Sequence, residues 1–290
     1  MTEQTHITTD ATTGATTTRP VVIDADDRIK PLDFSPLWRY RELLGFMIWR
    51  DITVRYKQTA LGISWIVLQP IVNVAVLSLV FGVLLDIPSD GYPYPVFVFS
   101  AMLPWRYFST ALAMGSGSLI NNSALVSKVY FPRLIIPLSA MFTPLIDFII
   151  SFFILLVVMF LYGINPITPG LLLLPPLMIL ALLTAFSITL WIGSLNVRYR
   201  DVGQLTGFLL QAWMYLTPIL YPISQVPEAW RGLYSINPMV GVIEGFRWAL
   251  LDAANPNYTA MGIGMGVVLV ILVSGLIFFS KMERSFGDII

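Results

Sequence analysis

The chain has 290 residues, of which 56% are apolar and only 12% are charged, whereas an ordinary soluble domain carries about 25% charged residues. Since so few charges cannot cover the surface of a water-soluble fold of this size, the apolar excess must face a lipid bilayer. The 17 basic and 17 acidic residues cancel, no Cys is present and the only His is His6, which excludes a nucleic-acid partner, Cys or His metal sites and Cys or His catalytic triads.

The amino-terminal segment, residues 1–33, is predicted to be a mobile Thr-rich cytoplasmic tail. Residues 1–18 contain nine Thr and no basic residue. Such a segment buries too little apolar surface to offset the entropy of an ordered chain. It also lacks the basic and apolar regions of a secretory signal, so we do not expect a cleaved leader here.

Residues 34–58 are predicted to form an amphipathic interface helix in the plane of the membrane. Leu37, Leu44 and Met47 recur at helical spacing among basic residues, which is typical of a helix with one apolar and one cationic face. Two Trp residues in this segment favour the headgroup region. The alternative is a soluble helix that covers a partner protein.

Six charge-poor stretches are long enough to cross a hydrocarbon core of about 30 Å as helices. They cover residues 61–85, 95–119, 138–162, 171–195, 204–221 and 261–280. The sequence therefore predicts an all-α membrane protein whose domain of six transmembrane helices occupies residues 59–290.

The basic residues are unevenly distributed around these six spans. Eight Lys and Arg precede the first span, and two follow each of the second, fourth and sixth spans, so fourteen lie on one face. The opposite face has only Arg231 and Arg247, and Arg106 lies inside the second span. Because cytoplasmic segments are enriched in Lys and Arg, a multi-pass protein with both termini in the cytoplasm is predicted.

Two charged residues, Arg106 and Asp147, lie within predicted spans. A charge at membrane depth is costly, so it faces protein or water and is a functional candidate. Pro104 and the aromatic residues beside it favour a position for Arg106 at the border of an aqueous path. For Asp147, the capping of a helix broken at Pro144 is an equally good interpretation.

Mid-span aromatic residues are candidates for a path along which sugars move. Their flat apolar faces can stack on sugar rings, while hydroxyl and indole groups supply hydrogen bonds. Packing within a helix bundle is the more common role of such residues. Together with Arg106, the candidate substrate-path residues are Trp65, Phe99, Trp105, Tyr107, Phe108, Trp191, Trp213 and Tyr215.

The segment between spans five and six, residues 222–260, is too apolar for a loop in water. Asn237 can cap a helix that begins at Pro238, but the segment is too short for a full crossing. We therefore predict short re-entrant external helices that close an exit, with surface helices that only cover the bundle as the alternative. The candidate external-gate residues are Trp230, Asn237, Pro238, Glu244, Arg247 and Trp248.

The loop between spans two and three, residues 121–137, is predicted to contain a short helix pressed against the cytoplasmic membrane surface. It could dock a cytoplasmic partner, although a simple loop would have a similar pattern. The candidate coupling residues are Asn122, Ser123, Ser127, Lys128, Tyr130, Phe131, Pro132 and Arg133.

The sequence carries no signature of catalysis. None of its four Lys residues follows a Gly, so it lacks the phosphate-binding loop of nucleotide hydrolases. No pair of carboxylates has a spacing that suggests glycosidase chemistry, and the only candidates, Asp86 and Asp90, lie in a predicted external turn. We therefore expect a protein that is not an enzyme.

Six segments of the chain, taken together, have the pattern of a known family. In chain order the segments are WRDITVRYKQTALGISWIVLQP, YPVFVFSAMLPWRYFSTAL, NNSALVSKVYFPRLIIPLS, LNVRYRDV, TPILYPISQVP and INPMVGVIEGFRWALL. They resemble the membrane (permease) subunit of type-2 ABC exporters for polysaccharides, and among these the O-antigen and teichoic-acid export permease family. The resemblance extends from about residue 38 to the carboxyl terminus.

This resemblance implies the transmembrane subunit of an ATP-driven ABC transporter in the bacterial cytoplasmic (inner) membrane. It would form a homodimer whose channel exports an undecaprenyl-linked, O-antigen-like polysaccharide. Two copies of a separate nucleotide-binding ATPase would use ATP and Mg, while this chain itself binds no cofactor and no metal.

The resemblance also implies roles for particular segments. Residues 121–133 look like the coupling helix that sits in a cleft of the ATPase, and residues 38–57 look like the interface helix that continues towards a lateral gate. Short helices within residues 230–251 look like the elements that close the outer mouth. An aromatic belt that guides the sugar chain is then implied for Trp105, Tyr107 and Phe108.

Three other functions remain as alternatives. A drug or small-lipid exporter of the same superfamily is the nearest of them. A membrane enzyme acting on lipid-linked sugars would need acidic or basic groups paired at one membrane interface, and none is found in the sequence. A secondary transporter would show an internal repeat with broken helices at the bilayer midplane, and no repeat is detected.

Overall fold

The computed structural model describes residues 35–57, 62–129, 131–251 and 258–289. Within these ranges the chain is helical and contains no β-strand, which confirms the all-α fold class. The predicted mobile tail and the coupling candidate Tyr130 lie outside the described residues.

Twelve α-helices make up most of the described chain. A π-helical stretch, Ser78–Leu84, continues α3, and 3-10 helices at Pro169–Leu173 and Ile223–Gln225 precede α8 and α10. In chain order the helices are α1 (Ser35–Arg39), α2 (Arg41–Lys57), α3 (Gly62–Leu77), α4 (Tyr94–Asn121), α5 (Ser123–Lys128), α6 (Ile135–Phe142), α7 (Pro144–Leu161), α8 (Leu174–Arg198), α9 (Asp201–Leu216), α10 (Glu228–Tyr234), α11 (Pro238–Leu251) and α12 (Tyr258–Ile289).

The segment predicted as the interface helix contains α1 and α2, which are divided at Tyr40. Met47 is buried against the bundle, while Trp38 and Trp49 are exposed. The helix pair therefore has one face on the protein core and indoles on its outer side. Indoles in this position are suited to a membrane interface.

Among the described residues, four helical stretches are long and apolar enough to cross a membrane. They overlap the predicted first, third, fourth and sixth spans. In chain order the stretches are Ser64–Leu84, Ile135–Leu161, Pro169–Arg198 and Tyr258–Glu283.

The predicted second span lies in α4, which has 28 residues and is therefore about 42 Å long. It forms the centre of the bundle and packs against α6, α7, α8 and α11. Because most of its surface contacts protein, α4 accommodates Arg106 and several small polar residues. Its composition is that of an inner helix, less apolar than its lipid-facing neighbours.

The predicted fifth span lies in α9, which has 16 residues and is about 24 Å long. The helix ends at Leu216, before the predicted boundary at residue 221. Thr217 has an extended backbone, the conformation that a residue preceding a proline favours, and Pro218 follows it. The helix of the predicted fifth span, α9, is therefore too short for a full crossing, and the chain continues beyond it as an irregular segment.

The third predicted span is divided into α6 and α7 at Thr143. Pro144 lacks a backbone N–H and its ring crowds the preceding turn, so the regular helical hydrogen bonding is interrupted there. The break places Asp147 in the first turn of α7. From this position its carboxylate reaches α2.

The helix α11 packs inside the bundle, against α4, α8 and α12. All of its residues are buried or nearly so except Glu244 and Trp248, which are half-buried. A surface helix that only covers the bundle is therefore excluded for this element. The 3-10 helix before α8 lies directly on it: a Cβ atom at Gly170 would lie 2.7 Å from the Cα of Ala249.

Candidate functional site

A cavity of about 460 Å³ lies between α2, α3, α4 and α7. This volume is within the range of about 300 to 1,000 Å³ that is usual for small-molecule sites. Aromatic rings form much of its wall, from Trp65, Phe99, Tyr107 and Phe148. Charged and amide side chains complete it, so the cavity combines apolar and polar surfaces.

Asp147 joins α2 to α7 at the edge of this cavity. Its Oδ2 accepts a hydrogen bond from the Arg55 guanidinium at 2.7 Å, and its Oδ1 accepts one from the Tyr56 hydroxyl at 2.7 Å. Burial and the bond to Asp147 raise the pKa of Tyr56 above its ordinary value, so this phenol remains a protonated donor. Asp147 therefore serves as an interhelical acceptor, and does not cap the helix broken at Pro144.

Arg106 lines the same cavity as the pair of Arg55 and Asp147. Among the described residues its guanidinium has no ion pair and no hydrogen bond, and its Nη1 is buried without a partner. Arg55 and Asp147 neutralise each other in an ion pair at 2.7 Å. One positive charge on the cavity wall is thus left uncompensated.

Two amide side chains of α3, Gln69 and Asn73, border the cavity one helical turn apart, and Trp65 lies one turn before them. All three are exposed on the bundle surface. Sequence reasoning missed the two amides because it searched the spans for charges. Their spacing of four residues within an otherwise apolar span was the available signal, since such residues share one helix face.

Most of the predicted substrate-path residues fall into two groups. Phe99, Arg106 and Tyr107 of α4 and Trp65 of α3 line the cavity. On another face of α4, Trp105 and Phe108 lie three residues apart, so they share a face. They pack against Trp213 of α9, with ring centroids 5.3 Å apart for Phe108 and Trp213.

The remaining predicted path residues lie apart from both groups. Trp191 of α8 stacks on Phe278 of α12 at a centroid distance of 4.4 Å, and Tyr215 is exposed on α9. Within this chain the nine residues therefore do not line a single passage.

The coupling candidates lie on and around the short helix α5. Asn122, just before it, accepts a hydrogen bond from Arg50 of α2 at 2.8 Å and donates one to the Ser118 carbonyl at 2.9 Å. Ser127 and Lys128 are exposed, and Ser123 is half-buried. The segment thus presents a polar outer face while one end is tied to α2.

The other end of this segment is held by the carboxyl-terminal helix. The backbone N–H of Arg133 donates to Glu283 Oε1 at 3.2 Å, and its guanidinium donates to the Glu283 carbonyl. The guanidinium also lies 5.9 Å from the ring centroid of Phe286. Phe131 is buried and Pro132 is half-buried beside this contact. Sequence reasoning missed Glu283 because no local pattern links it to a residue 150 positions away.

At the opposite end of the bundle, Asn237 and Arg247 hold the segment that was predicted to be external. Asn237 Oδ1 accepts a hydrogen bond from the Met239 N–H at 3.1 Å, which confirms the predicted cap of the helix that begins at Pro238. Arg247 is only 3% exposed. Its guanidinium contacts Glu244 at 3.1 Å, the Ile219 carbonyl at 2.8 Å and the face of the Phe97 ring at 3.7 Å.

The two Trp residues predicted for the external gate differ in environment. Trp230 on α10 is exposed, whereas Trp248 on α11 is half-buried against the core. Arg247, which joins α4, α11 and the segment after α9, is the structural centre of this region.

The helical bundle, its apolar outer surface and its cavity define a multi-pass membrane protein. Among the described residues, no three or more His, Cys, Asp or Glu side chains converge as a metal site would require. Residues 42–251 match the model of the ABC-2 type transporter family. The chain belongs to this family, which confirms the resemblance found in its sequence.

Several curated proteins are similar to this chain over nearly their whole length. The O-antigen export system permease protein RfbA of Myxococcus xanthus is 30% identical over 87% of this chain and 96% of its own. The protein of the same name from Klebsiella pneumoniae is 26% identical over 86% and 95%. The polysialic acid transport protein KpsM of Escherichia coli is 23% identical over 81% and 92%.

Proposed function

We propose that the chain is the transmembrane subunit of an exporter for a lipid-linked polysaccharide in the bacterial cytoplasmic membrane. The observation that carries this proposal is the alignment with O-antigen and polysialic acid transport proteins along most of both chains. A cavity walled by aromatic rings, amides and a guanidinium suits a substrate that joins sugars to a charged headgroup.

The proposed topology has six spans with both termini in the cytoplasm. The helix α4 is long enough to cross, and the fourteen-to-two distribution of basic residues supports the orientation. The short α9 is followed by Thr217, Pro218, Ile219 and Leu220, all of which are buried. Irregular backbone is tolerated at membrane depth where protein covers it, so α9 and this segment together complete the fifth span.

The proposed transporter pairs two copies of this chain with two copies of an ATPase. The sequence has no phosphate-binding loop, so the energy would come from a partner that docks on the polar outer face of α5. Movement of α5 would pass to α2 through Arg50 and Asn122. It would then reach the cavity through the pair of Arg55 and Asp147.

The re-entrant role of α10 and α11 belongs to the same proposal. Both would lie at the outer mouth and would close it until the substrate passes. The buried contacts of Arg247 with α4 and with the segment after α9 would hold the closed arrangement.

The function is tested by deleting the gene in its natural host. We expect lipid-linked polysaccharide to accumulate on the cytoplasmic side and surface glycan to disappear, with both restored by the wild-type gene. Accumulated material is measured by extraction of carrier lipid, and surface glycan by antibody or lectin staining of intact cells. Normal surface glycan in the deletion strain would contradict the proposed function.

A further inference from the structure

We propose that the cavity between α2, α3, α4 and α7 binds the headgroup of a lipid diphosphate, with the Arg106 guanidinium as its main ligand. Three charged residues line this cavity, and Arg55 and Asp147 pair with each other at 2.7 Å. The charge of Arg106 is therefore the net charge of the cavity wall, and it selects an anion.

The unpaired state of Arg106 is costly in the absence of a ligand. Its Nη1 is buried with no hydrogen-bond acceptor among the described residues, and a charge at membrane depth lacks the water that would stabilise it. A bound phosphate would supply both the missing acceptor and the missing negative charge. The planar guanidinium presents a fork of donors that matches phosphate oxygens.

The other polar groups of the wall suit the same ligand. Gln69 and Asn73 of α3 carry amide donors, and Thr110 of α4 and Ser151 of α7 carry hydroxyl groups. These neutral donors can bind the remaining phosphate oxygens without adding a charge. A carboxylate facing an anion would repel it, but the one carboxylate that the described residues contribute to the wall, Asp147, is already held by Arg55 and Tyr56.

The shape of the surroundings favours a lipid over a free anion. The cavity is large enough for a headgroup, and the aromatic rings of Trp65 and Phe99 form part of its wall. The neighbouring residues Leu68, Ile71 and Val72 of α3 are exposed on the bundle surface. An apolar tail could therefore remain in the bilayer along α3 while its phosphate enters the cavity.

The choice of a lipid diphosphate as the ligand rests on the export function proposed above, since a carrier lipid bears its glycan through phosphate. The binding site itself can be tested without transport. The purified full-length chain in detergent is titrated with radiolabelled farnesyl diphosphate, a short soluble member of that class. We expect saturable binding to the wild-type protein.

The decisive variants change Arg106 alone. Arg106→Gln should weaken farnesyl diphosphate binding about tenfold or more, because it removes a charge-assisted contact, and Arg106→Lys should retain part of the affinity. Arg198→Gln is the matched control, since it removes the same charge from an exposed residue at the end of α8, and it should bind as the wild type does. Equal binding by wild type and Arg106→Gln would overturn the assignment.

Competing ligands identify which part of the lipid is bound. If farnesol displaces the radiolabelled probe with the same potency as unlabelled farnesyl diphosphate, the cavity recognises only the apolar chain. Inorganic pyrophosphate with the same potency would show a free-anion site, and phosphatidylglycerol with the same potency would show a site for bulk membrane lipid. Each of these three outcomes overturns the assignment to a lipid diphosphate.

The variants are also checked for folding. The Arg106 guanidinium makes no hydrogen bond among the described residues, so Arg106→Gln should unfold at the wild-type temperature or above it. Should it unfold earlier, the double variant Gln69→Ala, Asn73→Ala tests the same cavity wall, and it should weaken binding about threefold. If the purified protein does not bind farnesyl diphosphate but lipid-linked polysaccharide accumulates in the deletion strain, this site is wrong and the proposed function stands. If the protein binds farnesyl diphosphate but no lipid-linked polysaccharide accumulates, the proposed function is wrong.

Discussion

Arg106 and Arg247 are arginines of the same bundle with opposite surroundings. Arg247 has a carboxylate, a carbonyl and an aromatic face around its guanidinium, so its charge is largely compensated. Arg106 has none of these among the described residues. A compensated buried charge holds helices together, whereas an uncompensated one at membrane depth points to a ligand or to water.

Replacement of Arg247 by Met should strongly destabilise the protein. The change leaves the Glu244 carboxylate and the Ile219 carbonyl without their partner, and breaking a buried ion pair costs about 3 to 5 kcal/mol. The measurement is thermal unfolding of the purified protein in detergent. Arg231→Met is the control, because Arg231 is half-exposed and lies 3.7 Å from a largely exposed Glu228. With the loss of its hydrogen bonds to the Val226 and Ser224 carbonyls included, this change should cost about 1 to 2 kcal/mol.

Equal losses for Arg247→Met and Arg231→Met would contradict the structural role of Arg247. Adding Glu244→Gln to Arg247→Met should recover part of the loss, since it removes the stranded carboxylate.

At the scale of elements, the sequence predicted the features that depend on residues close together in the chain. Charge-poor stretches mark spans, and the helix start at Asn237 and Pro238 follows from local hydrogen bonding. The sequence did not predict which face of α4 meets the cavity, because Phe99 and Phe108 have the same chemistry and only packing separates them. It also did not predict the contact of Arg133 with Glu283, which depends on how α12 lies against the coupling segment.

The contact between the 3-10 helix before α8 and α11 should be intolerant of a side chain. Gly170→Ala would place a Cβ atom 2.7 Å from the Cα of Ala249 and 2.9 Å from its carbonyl oxygen, and backbone atoms cannot move aside as a flexible side chain can. We expect a loss of about 1 to 3 kcal/mol, as for overpacking elsewhere. Gly232→Ala in α10 is the control, since no atom lies within 4 Å of its Cβ position.

Thermal unfolding of both glycine variants measures this difference. A Gly170→Ala protein as stable as Gly232→Ala would show that α11 is not held against the 3-10 helix in the membrane.

The contact between Glu283 of α12 and Arg133 of the coupling segment should matter more for the coupling of ATP hydrolysis to export than for the stability of the protein. Glu283→Ala removes the carboxylate oxygen that accepts from the Arg133 N–H, and the loss of one partly buried hydrogen bond costs about 1 kcal/mol. If the ATPase drives α5 and α12 together, ATP hydrolysis by the complex should persist while glycan export per ATP falls several-fold.

The control is Ser285→Ala, whose hydroxyl bonds only to the nearby Met282 carbonyl. It should leave the ratio of export to hydrolysis unchanged. A parallel fall of export and hydrolysis in Glu283→Ala would place Glu283 in ATPase docking, and would contradict a role in transmission.

For the whole molecule, two arrangements must be distinguished. Either α4 and α9 cross the bilayer, giving six spans, or only the four strongly apolar stretches do. The length of α4 and the burial of the segment after α9 favour six spans. Both arrangements place the two termini on one side, so only internal loops can separate them.

The absence of Cys from the sequence permits a direct test with single cysteines and a membrane-impermeant maleimide. Ile167, between the third and fourth spans, is 77% exposed, and Tyr199, after the fourth, is 55% exposed. With six spans, Ile167→Cys should react in intact spheroplasts and Tyr199→Cys only after permeabilisation. With four spans, Tyr199→Cys should react in intact spheroplasts and Ile167→Cys only after permeabilisation. The reason is that without a crossing by α4 every loop between α4 and α9 lies on the other side of the membrane. Glu228→Cys, whose native side chain is 91% exposed, reacts from outside in both arrangements and is the positive control.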